Sequence, residues 1–482
     1  MTTTIVINEE DRILGSMVGG AVGDALGYAV EFDDYATIVR RYGKPGITRY
    51  ELGPGGKALI SDDTQMTLFT AAGCLLGLTR GCCRGIMGRL DCYCSRTYRD
   101  WYFTQLHRFG DKPAEGFFGT WLMGIPELYS RRAPGNTCLS ALQALSEGRK
   151  PQNNSCGCGG VMRVAPIGLI CERLGYGGAA QHDAAMTARL THNHPLGFLP
   201  AAVLTLILMN ILHDDASDRA GLRKAIEKAL EDYSRTRSED DGGKTYGELW
   251  PEDVAKLSGL IRKAVSLTEE DVEDVDAIAQ LGEGWTGHEA LAIAVYCALK
   301  HADNFDYAIV SAVNHSGDSD STGAVCGNII GALLGRSLIP SYYTEKLELL
   351  DVIEDMANDL YTGCPISEYC DMDSVDKWRW RFKYLDQLYW EPREQMEAHI
   401  KDGSLFDKLG YDKKYCMACI KGIEKFRREL KQGLLEMTDE STGKKTWTEK
   451  DVESIMKGQT LNVLLNALEF NTAQEYAELL SL

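Results

Sequence analysis

The chain has 482 residues, 44% of them hydrophobic and 25% charged, the profile of a soluble globular protein large enough for more than one domain. Its net charge of −19 excludes a nucleic-acid phosphate track and an anionic membrane surface as the main partner. The polar, acidic start Met1–Arg12 carries no secretory signal, so a cytoplasmic location with reduced thiols is expected for the 15 cysteines.

Asp11–Gly27 predicts a helix with glycines at 15, 19, 23 and 27. Each glycine costs about 1 kcal/mol relative to alanine inside a helix. Four in register imply close approach of a second helix. The same spacing recurs at Gly323, Gly327, Gly331 and Gly335, so two glycine ridges are expected to pack backbone to backbone. Asp24 and Glu31 are acids within an otherwise apolar stretch. Arg40–Gly56 is rich in glycine and proline and reads as a loop. Ser61 is placed to cap a helix, with Asp62 and Asp63 in its first turn and an apolar run over Met66–Leu76.

Gly116–Gly124 and Ala133–Gly135 read as turns, and Gly135-Asn136-Thr137 starts a helix over Cys138–Leu145. Asn153–Gly160 combines small polar residues with glycines, a loop able to approach an anion closely. Thr191-His192-Asn193-His194-Pro195 precedes Leu196–Leu212, an apolar stretch expected to be a buried core helix. His213–Glu283 is charged and helical, with a surface loop at Ser234–Lys244. Gly282–Gly287 is a turn exposing Trp285, ahead of the helix Glu289–Lys300.

Gly317-Asp318-Ser319-Asp320-Ser321 supplies a second acidic cluster. Four carboxylates at 62, 63, 318 and 320, flanked by hydroxyls, would repel one another unless a cation sits among them. Hard oxygen donors of this kind suit Mg²⁺, Mn²⁺ or Ca²⁺ rather than zinc. The cysteine groups Cys82/Cys83/Cys92/Cys94, Cys156/Cys158 and Cys416/Cys419 (with Cys364 and Cys370 nearest) lack a completed zinc pattern and read as small hydrophobes. Beyond Gly363 come an aromatic segment, Lys377–Trp390, and charged amphipathic stretches at Lys413–Leu434 and Glu449–Leu482. They are expected to form a helical extension, docked through its aromatics or serving a protein partner.

In order, Gly23-Asp24-Ala25-Leu26-Gly27 with Glu31, Ser61-Asp62-Asp63-Thr64, Gly159-Gly160-Val161-Met162-Arg163-Val164-Ala165-Pro166, Thr191-His192, the Gly-Trp turn and Gly-Asp-Ser-Asp-Ser make one ordered set. On these motifs the chain resembles the ADP-ribosylglycohydrolase family over about residues 11–345. The resemblance implies an all-α catalytic domain over 1–365 and leaves 366–482 as the extension. It implies two Mg²⁺ (or Mn²⁺) ions on Ser61, Asp62, Asp63, Asp318, Asp320 and Ser321, with Glu31, Asp62 and Asp318 in catalytic roles. It places Gly119, Ser155, Cys156, Gly157, Gly159 and Gly160 at the substrate, His192 at the distal ribose and Trp285 near the adenosine. The implied reaction is hydrolysis of the bond joining ADP-ribose to a protein side chain or small molecule. This chain departs from the family in having Ser61 and Ser321 where threonine is common, and Cys158 where several members have asparagine. Rival readings are an ADP-ribose-binding or immunity-type protein acting by docking, an inactive structural relative, and a two-metal phosphoesterase.

Overall fold

The computed structural model describes residues 7–84, 87–111, 119–175, 178–238 and 240–365, with isolated positions from 380 onward. The first helix spans Glu9–Gly27, two residues longer at its start than expected. Asn8 caps it, its side chain accepting from the Asp11 amide at 2.8 Å, and Glu9, Glu10 and Asp11 complement the positive end of the dipole.

This helix lies antiparallel against Ser319–Leu334 with the two backbones in direct contact. Gly15 faces the Gly331 carbonyl, Gly19 faces Gly327 and Gly23 faces Gly323; a Cβ on any of them would overlap the opposite chain. The same rungs are seen from the other side at Gly323, Gly327 and Gly331. The expected ridges therefore meet, with one correction. Gly335 is not a rung: it ends its helix at φ +79°, a conformation that favours glycine. The fourth rung pairs Gly27 with Ser319. The cost of so many helical glycines is offset by the dispersion contacts that only bare backbones can make at this range.

Other apolar helices enclose the seam. Gly287–Lys300 and Phe305–Val313 pack on Ser319–Leu334. Pro195–His213 is a core helix with residues 196 to 212 buried, as its composition predicts. Asp62–Arg84 packs on Leu90–Leu106. The only sheet among the described residues is a ribbon of Arg237–Ser238 with Lys244–Thr245, and it occupies the segment expected as a plain surface loop. Ser238 and Thr236 are buried there, which a solvated loop would not achieve. The helix Tyr35–Tyr42 likewise takes the start of the Arg40–Gly56 loop.

Cys74, Cys94, Cys138, Cys171, Cys297 and Cys326 are free and buried, the role expected for small hydrophobes, while Cys92 is exposed. The chain divides into two compact units, Met1–Cys364 and Pro365–Leu482. Apart from isolated positions, Lys377–Trp390, Lys413–Leu434 and Glu449–Leu482, with Cys370, Cys416 and Cys419, lie outside the described residues.

The seam makes a stability prediction. Gly23→Val should destabilise the protein by about 3 kcal/mol, the upper range for overpacking a rigid contact. Gly259→Ala, at an exposed helical position with open space around it, should stabilise by about 1 kcal/mol. Thermal denaturation of the two variants checks both signs.

Candidate active site

The first acidic cluster is fixed from three directions. Ser61 precedes the Asp62–Arg84 helix, and its Oγ accepts from the Asp63 amide at 3.2 Å, so it caps that helix as expected. The Ser61 amide donates to both oxygens of Asp24 at 3.0 Å, and the Thr64 amide donates to Asp24 at 3.1 Å. The Thr64 hydroxyl donates to the same carboxylate. Asp24 thus caps a helix to which it does not belong. Burial pushes its pKa up to about 6, against the downward pull of the hydrogen bonds from Thr64 and Ser61. On the other side Arg132 holds Glu348 through two bonds of 3.1 Å and donates to the Ile60 carbonyl at 3.1 Å, while its own carbonyl accepts from the Asp62 amide at 3.2 Å.

The second cluster hangs on a glycine turn. Gly317 has φ +125° and sits against the Glu283 carbonyl, which accepts from the Asp318 amide at 2.8 Å. A side chain at 317 would be strained and would strike that carbonyl. Asp318 caps Ser319–Leu334 by accepting from the Ser321 amide at 3.3 Å, and Asp320 accepts from the same amide at 2.8 Å. The Cys158 thiol donates to Asp318 Oδ2 at 2.7 Å.

Both clusters open into one pocket of about 550 Å³, where Asp62, Asp63, Asp318, Asp320, Ser321 and Glu31 share the lining. Ser61 is fully buried and does not line it. Burial, then the neighbouring carboxylates, push Glu31 up to about 8. Asp62 also rises to about 8, mainly through burial, and the Gly135 amide only partly opposes this. Asp63 and Asp320 are raised well above the ordinary carboxylate range by burial and by the other acids. Asp63 Oδ2 and Glu31 Oε2 are buried without a hydrogen-bond partner. An all-oxygen donor set with unpartnered carboxylate oxygens fits a hard divalent cation. The donors are gathered rather than caged: among the described residues no three His, Cys, Asp or Glu side chains converge as a ready-made cation group. The fit therefore rests on donor chemistry and on the unpartnered oxygens.

The opposite wall comes from two paired loops. The Cys158 amide donates to the Trp285 carbonyl at 3.1 Å and the Gly287 amide to the Cys156 carbonyl at 2.8 Å. This pairing brings Trp285 to the pocket, 40% exposed, with its ring near-parallel to the 74% exposed Phe32 at 6.1 Å. His192 lines the pocket beside Gly157 and Gly159, whose missing side chains leave room for the imidazole. Burial first, then the Arg163 charge, push His192 down to about 3, so the ring is neutral.

Four other residues expected at the substrate do not line this pocket. Ser155 sits behind the wall, its Oγ accepting from the Gly157 amide at 3.3 Å. Cys156 contributes its carbonyl to the loop pairing and does not line the pocket. Gly160 is a packing glycine against the Gly197 carbonyl. Gly119 is buried with its amide on Asp100 at 3.2 Å and does not line the pocket. Residues not anticipated there include Phe32, Arg131, Asn136, Thr137 and Met162. The helix start at Gly135-Asn136-Thr137 was a usable signal for two of them; a lone Phe32 or Arg131 carries none.

Asp24→Asn tests the shared cap. Oδ2 takes the Thr64 amide and hydroxyl and shares the Ser61 amide with Oδ1, so the asparagine NH2 at the Oδ1 position would face the Ser61 N–H donor against donor. A loss of about 1–3 kcal/mol is expected, read as a lowered midpoint in chemical denaturation.

Residues 6–368 match the family described as ADP-ribosylglycohydrolase. The chain is 28% identical over 347 residues to the ADP-ribosyl-dinitrogen reductase glycohydrolase of Rhodospirillum rubrum, an alignment covering 70% of this chain and 91% of that protein. It is 27% identical over 360 residues to an uncharacterized protein of Archaeoglobus fulgidus, covering 73% and 96%. With the ADP-ribosylhydrolase ARH3 of Bos taurus it shares 26% identity over 218 residues, covering 43% and 58%. The family match spans most of the chain and includes both acidic clusters, the glycine loop and His192: the protein belongs to the ADP-ribosylglycohydrolase family.

Proposed function

We propose that this chain is an ADP-ribosyl hydrolase. It cleaves, with water, the glycosidic bond between C1″ of the distal ribose of ADP-ribose and a modified protein side chain or small molecule. The observation that carries this reading is the meeting of Glu31, Asp62, Asp63, Asp318 and Asp320 in one pocket walled by Gly157, Gly159 and His192. The names of the relatives from Rhodospirillum rubrum and Bos taurus, a glycohydrolase and an ADP-ribosylhydrolase, support the same reaction class.

Two divalent cations, Mg²⁺ or Mn²⁺, held on oxygens of Ser61, Asp62, Asp63, Asp318, Asp320 and Ser321, would supply positive charge where the glycosidic bond breaks. The chain's own residues do the rest. Cations among the neighbouring carboxylates would offset the repulsion that raises Glu31, and the ionised Glu31, with Oε2 unpartnered, accepts a hydrogen bond from the attacking water and takes its proton as the new C–O bond forms. That proton then passes from Glu31 to the leaving nitrogen or oxygen, directly or by exchange with solvent, which regenerates the carboxylate and leaves water as the only reagent consumed. The transition state has oxocarbenium character, and the carboxylates stabilise it. Phe32 and Trp285 offer aromatic faces for the adenine end, and His192 meets the distal ribose.

The test is incubation with arginine-, serine- and nucleobase-linked ADP-ribose, with and without Mg²⁺, followed by product analysis. Free ADP-ribose is expected, abolished by excess chelator and reduced about 100-fold or more in Asp318→Ala/Asp320→Ala. AMP and ribose phosphate would mark a phosphoesterase instead. ADP-ribose binding without turnover of any linkage would mark a binding protein.

A further inference from the structure

Behind the His192 wall lies a charge that the reaction does not use. Arg163 is completely buried, yet no carboxylate pairs with it among the described residues. One guanidinium nitrogen, Nη1, lies 3.4 Å from Met66 Sδ and 3.4 Å from Cys138 Sγ. The other, Nη2, donates to the Thr191 hydroxyl at 2.7 Å and to the Thr187 carbonyl at 3.4 Å. The group stacks over the Tyr98 ring at 4.5 Å. A buried cation without a counter-charge is costly, and an apolar side chain of similar size would fill the space more cheaply.

The contacts continue toward the pocket. Thr191 Oγ1 lies 2.8 Å from His192 Nδ1 and 3.3 Å from the Ala188 carbonyl. This hydroxyl accepts from Arg163 through one lone pair, and its single hydrogen has two takers, the Ala188 carbonyl and Nδ1, of which Nδ1 is the nearer. With the hydrogen given to Nδ1, that nitrogen is the acceptor and the ring's own proton falls to Nε2. Nε2 faces Gly157, where an added Cβ would lie 3.2 Å from it. It is the nitrogen on the ligand side.

We propose that Arg163 is a positioning residue for ligand binding: through Thr191 it fixes the orientation and tautomer of His192, so that Nε2–H is presented to the pocket as a hydrogen-bond donor. The ligand's identity rests on the ADP-ribose reading above, with a ribose oxygen as the acceptor. The neutral state of the ring agrees with this, since both burial and the Arg163 charge oppose a second proton. The same guanidinium also holds Cys138, a second lining residue, so one buried cation steadies two parts of the wall.

The test uses the full chain with ¹⁵N-labelled histidine, the wild type and two variants. Thr191→Val removes the hydroxyl relay, and Thr191→Ser keeps it. Long-range proton–nitrogen spectra of the ligand-free protein should show His192 with Nε2 protonated and Nδ1 bare in the wild type and in Thr191→Ser. Thr191→Val should lose that fixed tautomer, and calorimetry with Mg²⁺ should show ADP-ribose binding roughly tenfold weaker, the value of one hydrogen bond. Circular dichroism confirms that each variant is folded. A wild-type ring protonated on Nδ1, or a folded Thr191→Val with unchanged ring signals, overturns the inference. The ring spectra need no ligand, so they decide it even if ADP-ribose fails to bind, an outcome that would instead count against the proposed function.

Discussion

Two helices touching through bare backbone set the geometry of this molecule. Gly15, Gly19 and Gly23 each lie against the carbonyl of a facing glycine on Ser319–Leu334. A sheet of interdigitated side chains can slip and repack; a seam of glycines has one register, because any shift brings a Cβ against a backbone. At its far end the seam delivers Asp24 and the segment leading to Glu31 to the start of Ser319–Leu334, where Asp318 and Asp320 lie. The glycines cost helix propensity twice, once on each helix of the seam, and what they provide is positional accuracy at the site.

The buried acids fall into two kinds. Asp24 is satisfied: amides and a hydroxyl from the Ser61–Thr64 turn meet both its oxygens. It is a structural carboxylate that spends its charge on a helix N-terminus. Glu31 and Asp63 each keep a buried oxygen without a partner, and they share the pocket with Asp62, Asp318 and Asp320. Folding gains nothing from leaving such groups unpaired. Under the proposed function, that arrangement would receive a counter-charge and a reacting water.

Much of this was legible in the chain. The fourfold spacing of glycine announced the seam, and paired acids beside hydroxyls announced the two clusters, because both are local patterns with a direct physical cost. Gly335 misled because spacing alone does not separate a packing glycine from one that ends a helix at positive φ. Gly160 and Gly119 show the same ambiguity: neither lines the pocket, and a glycine beside a candidate loop can serve packing against Gly197 or an amide bond to Asp100. The Asp24 cap, the Cys158 thiol on Asp318 and the Arg163–Thr191–His192 relay were not readable, since each joins residues through tertiary contacts that no local pattern encodes. Phe32 and Trp285 meet only because the Cys156–Cys158 and Trp285–Gly287 loops pair.

The most direct measurement is anomalous diffraction from crystals grown with Mn²⁺ and ADP-ribose. Manganese peaks bounded by Asp62, Asp63, Asp318 and Asp320, with the distal ribose beside them, are the expected result. Manganese elsewhere, or ADP-ribose bound away from these four acids, would contradict the account.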